Sequence, residues 1–379
     1  MTQQYDLIII GGGIVGAAAA YRAVRRGART LLLDRRDPGR ATHAGAGILA
    51  PPVSNHRSPI WFDFAVEAVD YYPLLVGQLA EDAAGETGYA RCGMLNVAAT
   101  EDELDAFATA EANIFARQQA RGAPSSDALH RVTPAEAKAL FPPLAHVHAA
   151  LYYRDACRVD GRLLTDAMTR AAAGRGLTVE NRSAERLILE AGRMQGVEAG
   201  GEEIHAGAVI IAGGAWSPAF GRQLGVAINV EPQRGQIIHW DLSPQEAEAW
   251  PIVGAFRGHY MLTFPGGRVV TGATRETGSG YAPTTSAAGI REVIDEALRV
   301  APGLAQARLL EVRVGLRPFT HDGLPVLGSV PGTENVILAT GHGPSGLQLG
   351  PYSGLIAAEM ALGDESPADI APFSVTRFG

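Results

Sequence analysis

The chain has 379 residues, 46% of them hydrophobic, and a formal net charge of −8. It is long enough for two domains with filled cores, and its acidic balance disfavours nucleic acid or an anionic membrane as a partner. Cys92 and Cys157, its two cysteines, show no metal-binding or redox spacing; they fit a reducing compartment and exclude a C-x-x-C disulfide reductase.

Along the chain, Leu7 to Ile10 is an apolar, β-branched run of the kind that forms a buried parallel strand. Gly11, Gly13 and Gly16 follow as G-x-G-x-x-G, then an Ala-rich helix to about Arg26, then a strand from Thr30 to Leu33 that ends in Asp34. In such a unit the first glycine permits the tight turn and the second lets a pyrophosphate approach the backbone. The third lets helix and strand pack closely. The helix N-terminus offers unpaired N–H groups and a positive dipole end, and the terminal acid is placed for an adenosine ribose. The motif alone is weak and also suits a turn that binds nothing. With strand, helix and acid all in place it predicts dinucleotide binding, leaving FAD and NAD(P) both open.

The small-residue run Ala41 to Pro52 suggests backbone packed against something flat. Phe62 to Leu79, Glu101 to Arg121, Leu163 to Arg175 and Ile290 to Val300 read as helices, and Val209 to Ile211 as a second buried strand before Gly213, Gly214 and Trp216. Val230 to Thr274 alternates apolar and polar residues around Pro265-Gly266-Gly267, an antiparallel-sheet signature. Asn335 to Thr340 is a further strand. The loop Gly341-His342-Gly343-Pro344-Ser345-Gly346 and a last helix to about Leu362 follow it. A strand–glycine–helix unit at each end of the chain implies an interrupted nucleotide domain, with ligand bound outside the carboxyl ends of its strands. The longest apolar stretches fall short of the ~20 residues that cross a bilayer. The first strand starts almost at the N-terminus with no signal peptide before it, and the expectation is a cytoplasmic protein without a membrane span.

Together IIIGGGIVG, ATHAGAGILAP, VIIAGGAWSP, GLRPFTHDGLPVLG and ILATGHGPSGLQLGPYSG resemble the D-amino-acid oxidase-like family of FAD-dependent oxidoreductases, nearest to bacterial glycine oxidases. The resemblance covers nearly the whole chain. It implies a Rossmann-like FAD-binding domain from residues 1–80, 145–225 and 314–379, with an inserted antiparallel-sheet substrate domain from 81–144 and 226–313. Gly11, Gly13, Ile14, Val15 and Gly16 would hold the pyrophosphate, and Asp34, with Arg35 beside it, the ribose. Thr42, His43, Ala44, Gly47, Ile48 and Leu49 would run along the flavin, Ala184 would meet the adenine, and Gly213 and Trp216 would border the cofactor. Gly341, His342, Gly343, Ser345, Gly346 and Leu347 would bring a helix N-terminus to the flavin pyrimidine, where reduced flavin carries negative charge.

Arg317 and Tyr260 match the substrate carboxylate anchors of the family, and an Arg fork suits a carboxylate bidentately. Where glycine oxidases can carry another arginine, this chain has Pro344, so a bulkier or secondary amine enters consideration. Relatives that attach flavin through a histidine have it at Ala44 rather than His43, and the attachment cysteine of monomeric sarcosine oxidases is absent; the FAD is expected to be non-covalent. The implied reaction is oxidative deamination of glycine, a small D-amino acid or an N-substituted glycine. A hydride passes from Cα to flavin N5, and the imine hydrolyses to a 2-oxo acid. Oxygen or a respiratory acceptor reoxidises the flavin. A D-amino-acid or sarcosine-type dehydrogenase is the alternative, an NAD(P)-dependent dehydrogenase a weaker one. No metal site is expected, and a homo-oligomer stays open.

Overall fold

The computed structural model describes residues 4–56, 58–242 and 249–378. Two eight-stranded sheets organise them. The first opens with strand Gln4–Ile10, flanked in parallel by Thr30–Leu33 and Glu202–Ile211. Val336–Thr340 pairs parallel with the end of Glu202–Ile211, so strands from the start, middle and end of the chain share one sheet. Their apolar runs are buried on both faces, as a parallel sheet between covering layers requires. A hairpin, Ala184–Glu190 and Arg193–Ala199, extends one edge antiparallel.

Helix Ile14–Arg25 packs across this sheet against the last long helix, Gly346–Ala361. Small residues set their separation: a Cβ on Gly354 would stand 2.5 Å from the Val15 carbonyl oxygen. Glu359 of the last helix ion-pairs with Arg22 and Arg26 of the first. Both helices point their N-termini at the carboxyl ends of the parallel strands, the edge where open α/β sheets bind ligands.

The second sheet runs Arg308–Phe319, Glu231–Asp241, Arg268–Gly272, Tyr260–Phe264, Ile252–Ala255, Met94–Ala98, Ala149–Tyr153, Leu129–Val132. It is antiparallel except where Ile252–Ala255 meets Met94–Ala98 in parallel. Two of its strands depart from the segments read from the sequence: Ala149–Tyr153, within 145–225, pairs in this sheet, and Arg308–Phe319 crosses the 313/314 boundary. The single helix expected over Phe62 to Leu79 is two, Pro59–Asp70 and Tyr72–Glu81. Pro73, which lacks an N–H and clashes with the preceding turn, forces the break.

Among the described residues no helix is long and apolar enough to cross a membrane, and no group of three or more His, Cys, Asp or Glu is placed to hold a metal ion. The glycine turn is very tightly packed, since a Cβ on Gly16 would lie 1.8 Å from the Gly11 carbonyl oxygen. Gly16→Ala is therefore expected to cost at least about 1–3 kcal/mol through forced backbone shifts, read as a lower urea midpoint. Gly77→Ala, in a helix with open space around the added methyl, should leave stability unchanged or raise it by about 0.5–1 kcal/mol, read from the same midpoints.

Candidate active site

A cavity of about 630 Å³ runs between the two sheets. At one end it is lined by Gly11, Gly13, Ile14, Val15, Asp34, Arg35 and Ala184. Thr42, Ala44, Gly47, Ile48, Gly213 and Trp216 line its middle, and His342, Gly343, Pro344, Ser345, Gly346, Leu347, Tyr260 and Arg317 its far end. The glycine loop and the C-terminal loop, 325 positions or more apart in the chain, thus face one space.

Four expected site residues do not line it. Gly16 packs on Gly11. Leu49 is in the apolar core, and Gly341, at φ 73°, packs against Thr320 and Val326. His43 turns away from the cavity, where its Nε2 accepts a hydrogen bond from Arg40 at 3.1 Å and its carbonyl one from Arg313 at 3.4 Å. The short 3₁₀ turn Ala41–Ala44 puts Ala44 against the cavity and His43 behind it.

At the nucleotide end, the Thr42 hydroxyl accepts from the Ile14 N–H at 3.0 Å and caps the first helix from a separate loop. Asp34 faces Gly12, whose absent Cβ would stand 2.7 Å from Oδ2. Its carboxylate accepts from Arg40 at 2.7 Å and from the Arg36 N–H at 3.2 Å. An elongated dinucleotide fits this donor set: backbone N–H groups at the first helix for phosphates, an acid for a ribose, and small residues along the wall for a flat ring.

At the far end the chemistry is cationic. Arg317 Nη1 donates to the Thr274 carbonyl at 2.9 Å and to the Gln233 side-chain oxygen at 3.4 Å. Its guanidinium lies over Gly235, where a Cβ would come within 2.4 Å of Nη2. Desolvation lowers its pKa most, Arg275 lowers it further, and Tyr260 and Glu276 oppose this. Arg275, missed in the sequence, lines the same cavity, and its recorded bond is to the Gly258 carbonyl at 2.9 Å. Neither arginine has a carboxylate within 4.0 Å among the described residues. Burial raises the Tyr260 pKa, so its phenol remains a donor. Met94, Asn96, His56, Trp61 and Phe256 close the rest of this end; His56 stacks on Trp61 with ring centroids 4.4 Å apart. No local motif marks these residues, which the fold alone assembles.

A family model described as FAD dependent oxidoreductase matches residues 6–360. Among curated proteins, an uncharacterized oxidoreductase of Bacillus subtilis (strain 168), YurR, is 38% identical over 367 residues, covering 97% of each chain. Among solved structures, iminodiacetate oxidase from Chelativorans sp. BNC1 superposes with a TM-score of 0.91 at 37% identity, over 97% of this chain and 98% of that one. Glycine oxidase from Geobacillus kaustophilus does so with 0.89 at 28% identity, over 99% of both.

His342, in the C-terminal loop, is buried and shares a hydrogen bond between Nε2 and Ser353 Oγ at 2.9 Å. Burial lowers its pKa to about 4, so the ring at the cavity wall is neutral at pH 7. The folded state then binds fewer protons than the unfolded chain between about pH 6.5 and 4, and stability falls as pH drops through that window. A His342→Gln variant is expected to lose less stability between pH 6.5 and 4 than the parent, by roughly 1–3 kcal/mol, as measured by urea midpoints across that range.

Proposed function

This chain belongs to the FAD-dependent oxidoreductase family, and on that premise we propose that it oxidises an N-substituted glycine bearing a second carboxylate, a secondary amine of the iminodiacetate kind. The observation that carries this reading is the pair Arg317 and Arg275, two cavity arginines without an ion-pair partner among the described residues. One unpaired guanidinium suits an amino acid; a second suits a diacid. The relative named iminodiacetate oxidase supports the same class.

In this reading Gly11, Gly13, Ile14 and Val15 hold the FAD pyrophosphate and Asp34, with Arg35 beside it, its ribose. Ala184, Gly213 and Trp216 border the adenine half. Thr42, Ala44, Gly47, Ile48 and the loop His342 to Leu347 lie along the flavin. With His43 turned away from the cavity and held by Arg40, the FAD is bound non-covalently. FAD, when bound, supplies the two-electron acceptor. The segments 1–80, 145–225 and 314–379 form its domain and 81–144 with 226–313 the substrate domain, apart from the strands Ala149–Tyr153 and Arg308–Phe319.

The protein's own part is orientation and charge. Arg317 forks one carboxylate, with the Tyr260 hydroxyl donating to it, while Arg275 takes the other. Two anchored ends fix the Cα–H between them, and such positioning removes much of the entropic barrier. The same guanidinium charges disfavour a protonated amine nitrogen, and the free lone pair is what forms the C=N bond as hydride leaves Cα. Water then splits the imine into a 2-oxo acid and a primary amine; for iminodiacetate these are glyoxylate and glycine. Oxygen is the proposed final acceptor, in line with the relatives named as oxidases.

Replacing Arg275 by Ala should raise the iminodiacetate concentration needed for half-maximal flavin bleaching by about 10–100-fold and barely affect N-methylglycine. Arg317→Ala should weaken both and keep its FAD. Equal losses for both substrates in Arg275→Ala would remove the second-carboxylate reading, and loss of FAD from Arg317→Ala would mean that residue serves the cofactor.

A further inference from the structure

The two cavity arginines share one support. Arg317 is held by the carbonyl of Thr274, and Arg275 is the next residue in the chain. The turn that carries both ends the strand Arg268–Gly272 and has no regular secondary structure of its own. Its order must come from side chains and isolated bridges.

Glu276 supplies them. Its Oε1 accepts from the Thr274 hydroxyl at 2.8 Å and from Gln236 Nε2 at 2.7 Å. Its Oε2 accepts from Arg234 Nη2 at 2.5 Å and Nε at 2.9 Å, a two-pronged grip. The Glu276 and Arg234 backbones also exchange two hydrogen bonds, at 2.9 and 3.1 Å. Gln236, fully buried, donates its N–H to the Thr274 hydroxyl at 3.0 Å and reaches Ser286. Arg234 continues to Thr284 at 2.7 Å. Every acceptor site on the carboxylate is therefore directed at the turn or its anchors. Burial raises its pKa most, but the bonds from Arg234, Gln236 and Thr274 together bring it below the usual carboxylate value.

We propose that Glu276 is the positioning residue of the substrate site: it fixes the Thr274 carbonyl that aims Arg317 and the backbone that carries Arg275, without touching substrate itself. Neutralised by Arg234, it holds the turn while leaving the charge of both cavity arginines for an anionic ligand. A carboxylate that paired with Arg317 directly would compete with substrate; one relayed through a backbone carbonyl does not. This inference rests on the reading of Arg317 and Arg275 as carboxylate anchors.

The test uses the FAD-loaded full chain and Glu276→Gln, which keeps the shape and removes the charge. Two readouts are taken: perturbation of the flavin absorbance by acetate, which needs no turnover, and steady-state oxidation of iminodiacetate and N-methylglycine. Expected are full FAD occupancy, about tenfold weaker acetate binding, and a rise in KM of about tenfold for both amines that exceeds any fall in kcat. In an Arg317→Ala background the same change should have little further effect on N-methylglycine, because the two act in series. A Glu276→Gln enzyme that binds acetate as the parent does overturns the proposal, as does an effect that simply adds to that of Arg317→Ala. If the parent binds acetate yet neither amine bleaches its flavin, the substrate reading fails while the acetate comparison still decides the role of Glu276.

Discussion

The site depends on a guanidinium, that of Arg317, taken out of water and given only neutral acceptors. Its nearest recorded partners are a backbone carbonyl and an amide oxygen. A desolvated charge without a counter-ion is costly, and here desolvation is the main force lowering the Arg317 pKa. Such an arrangement persists when the surrounding structure over-determines it and a ligand supplies the missing charge. Gly235 is part of that over-determination, because any side chain there would displace the guanidinium.

The fold brings this charge to the cofactor side through strand parity. Glu311, Arg313, Gly315 and Arg317 alternate along one strand of the second sheet, so they share a face. Gly315 lies over Ala41 and Ala44, where a Cβ would approach the Ala44 methyl to 2.9 Å. The turn Ala41–Ala44 therefore passes between the two sheets, with the cavity on one side and His43 and Arg313 on the other, while Arg40 reaches from the cavity wall to both Asp34 and His43. Burial, aided by the positive charge of Arg40 beside it, lowers the His43 pKa to about 4. His342, neutral in the cavity wall, adds no cationic charge there, and Arg317 and Arg275 bring positive charge to the substrate end.

What could be read from the sequence was local. Gly11, Gly13 and Gly16 follow from one turn's backbone demands, and the apolar run after Tyr5 from burial on two faces. The C-terminal loop was legible for the same reason. The strands at 94–98, 129–132 and 149–153 were not, because they are short and the long helix Leu104–Arg121 separates the pairing partners. Which of His43 and Ala44 faces the cavity depends on one 3₁₀ turn, and sequence spacing cannot resolve it. Arg275 and Glu276 were silent for a different reason: their roles exist only once Arg234 and Gln236 of one strand and Arg317 of its neighbour meet the turn that carries them. Arg317 itself was found through a resemblance, and that it has no acid partner among the described residues became visible only in three dimensions.

The central claim is that the cavity end around Arg317 and Arg275 is built for an amine with two carboxylates. The most direct measurement is anaerobic stopped-flow reduction of the FAD-loaded parent enzyme by iminodiacetate, N-methylglycine and glycine at equal concentrations. The account predicts that iminodiacetate bleaches the flavin fastest and at the lowest concentration. Glycine reducing the flavin as readily as iminodiacetate would contradict it.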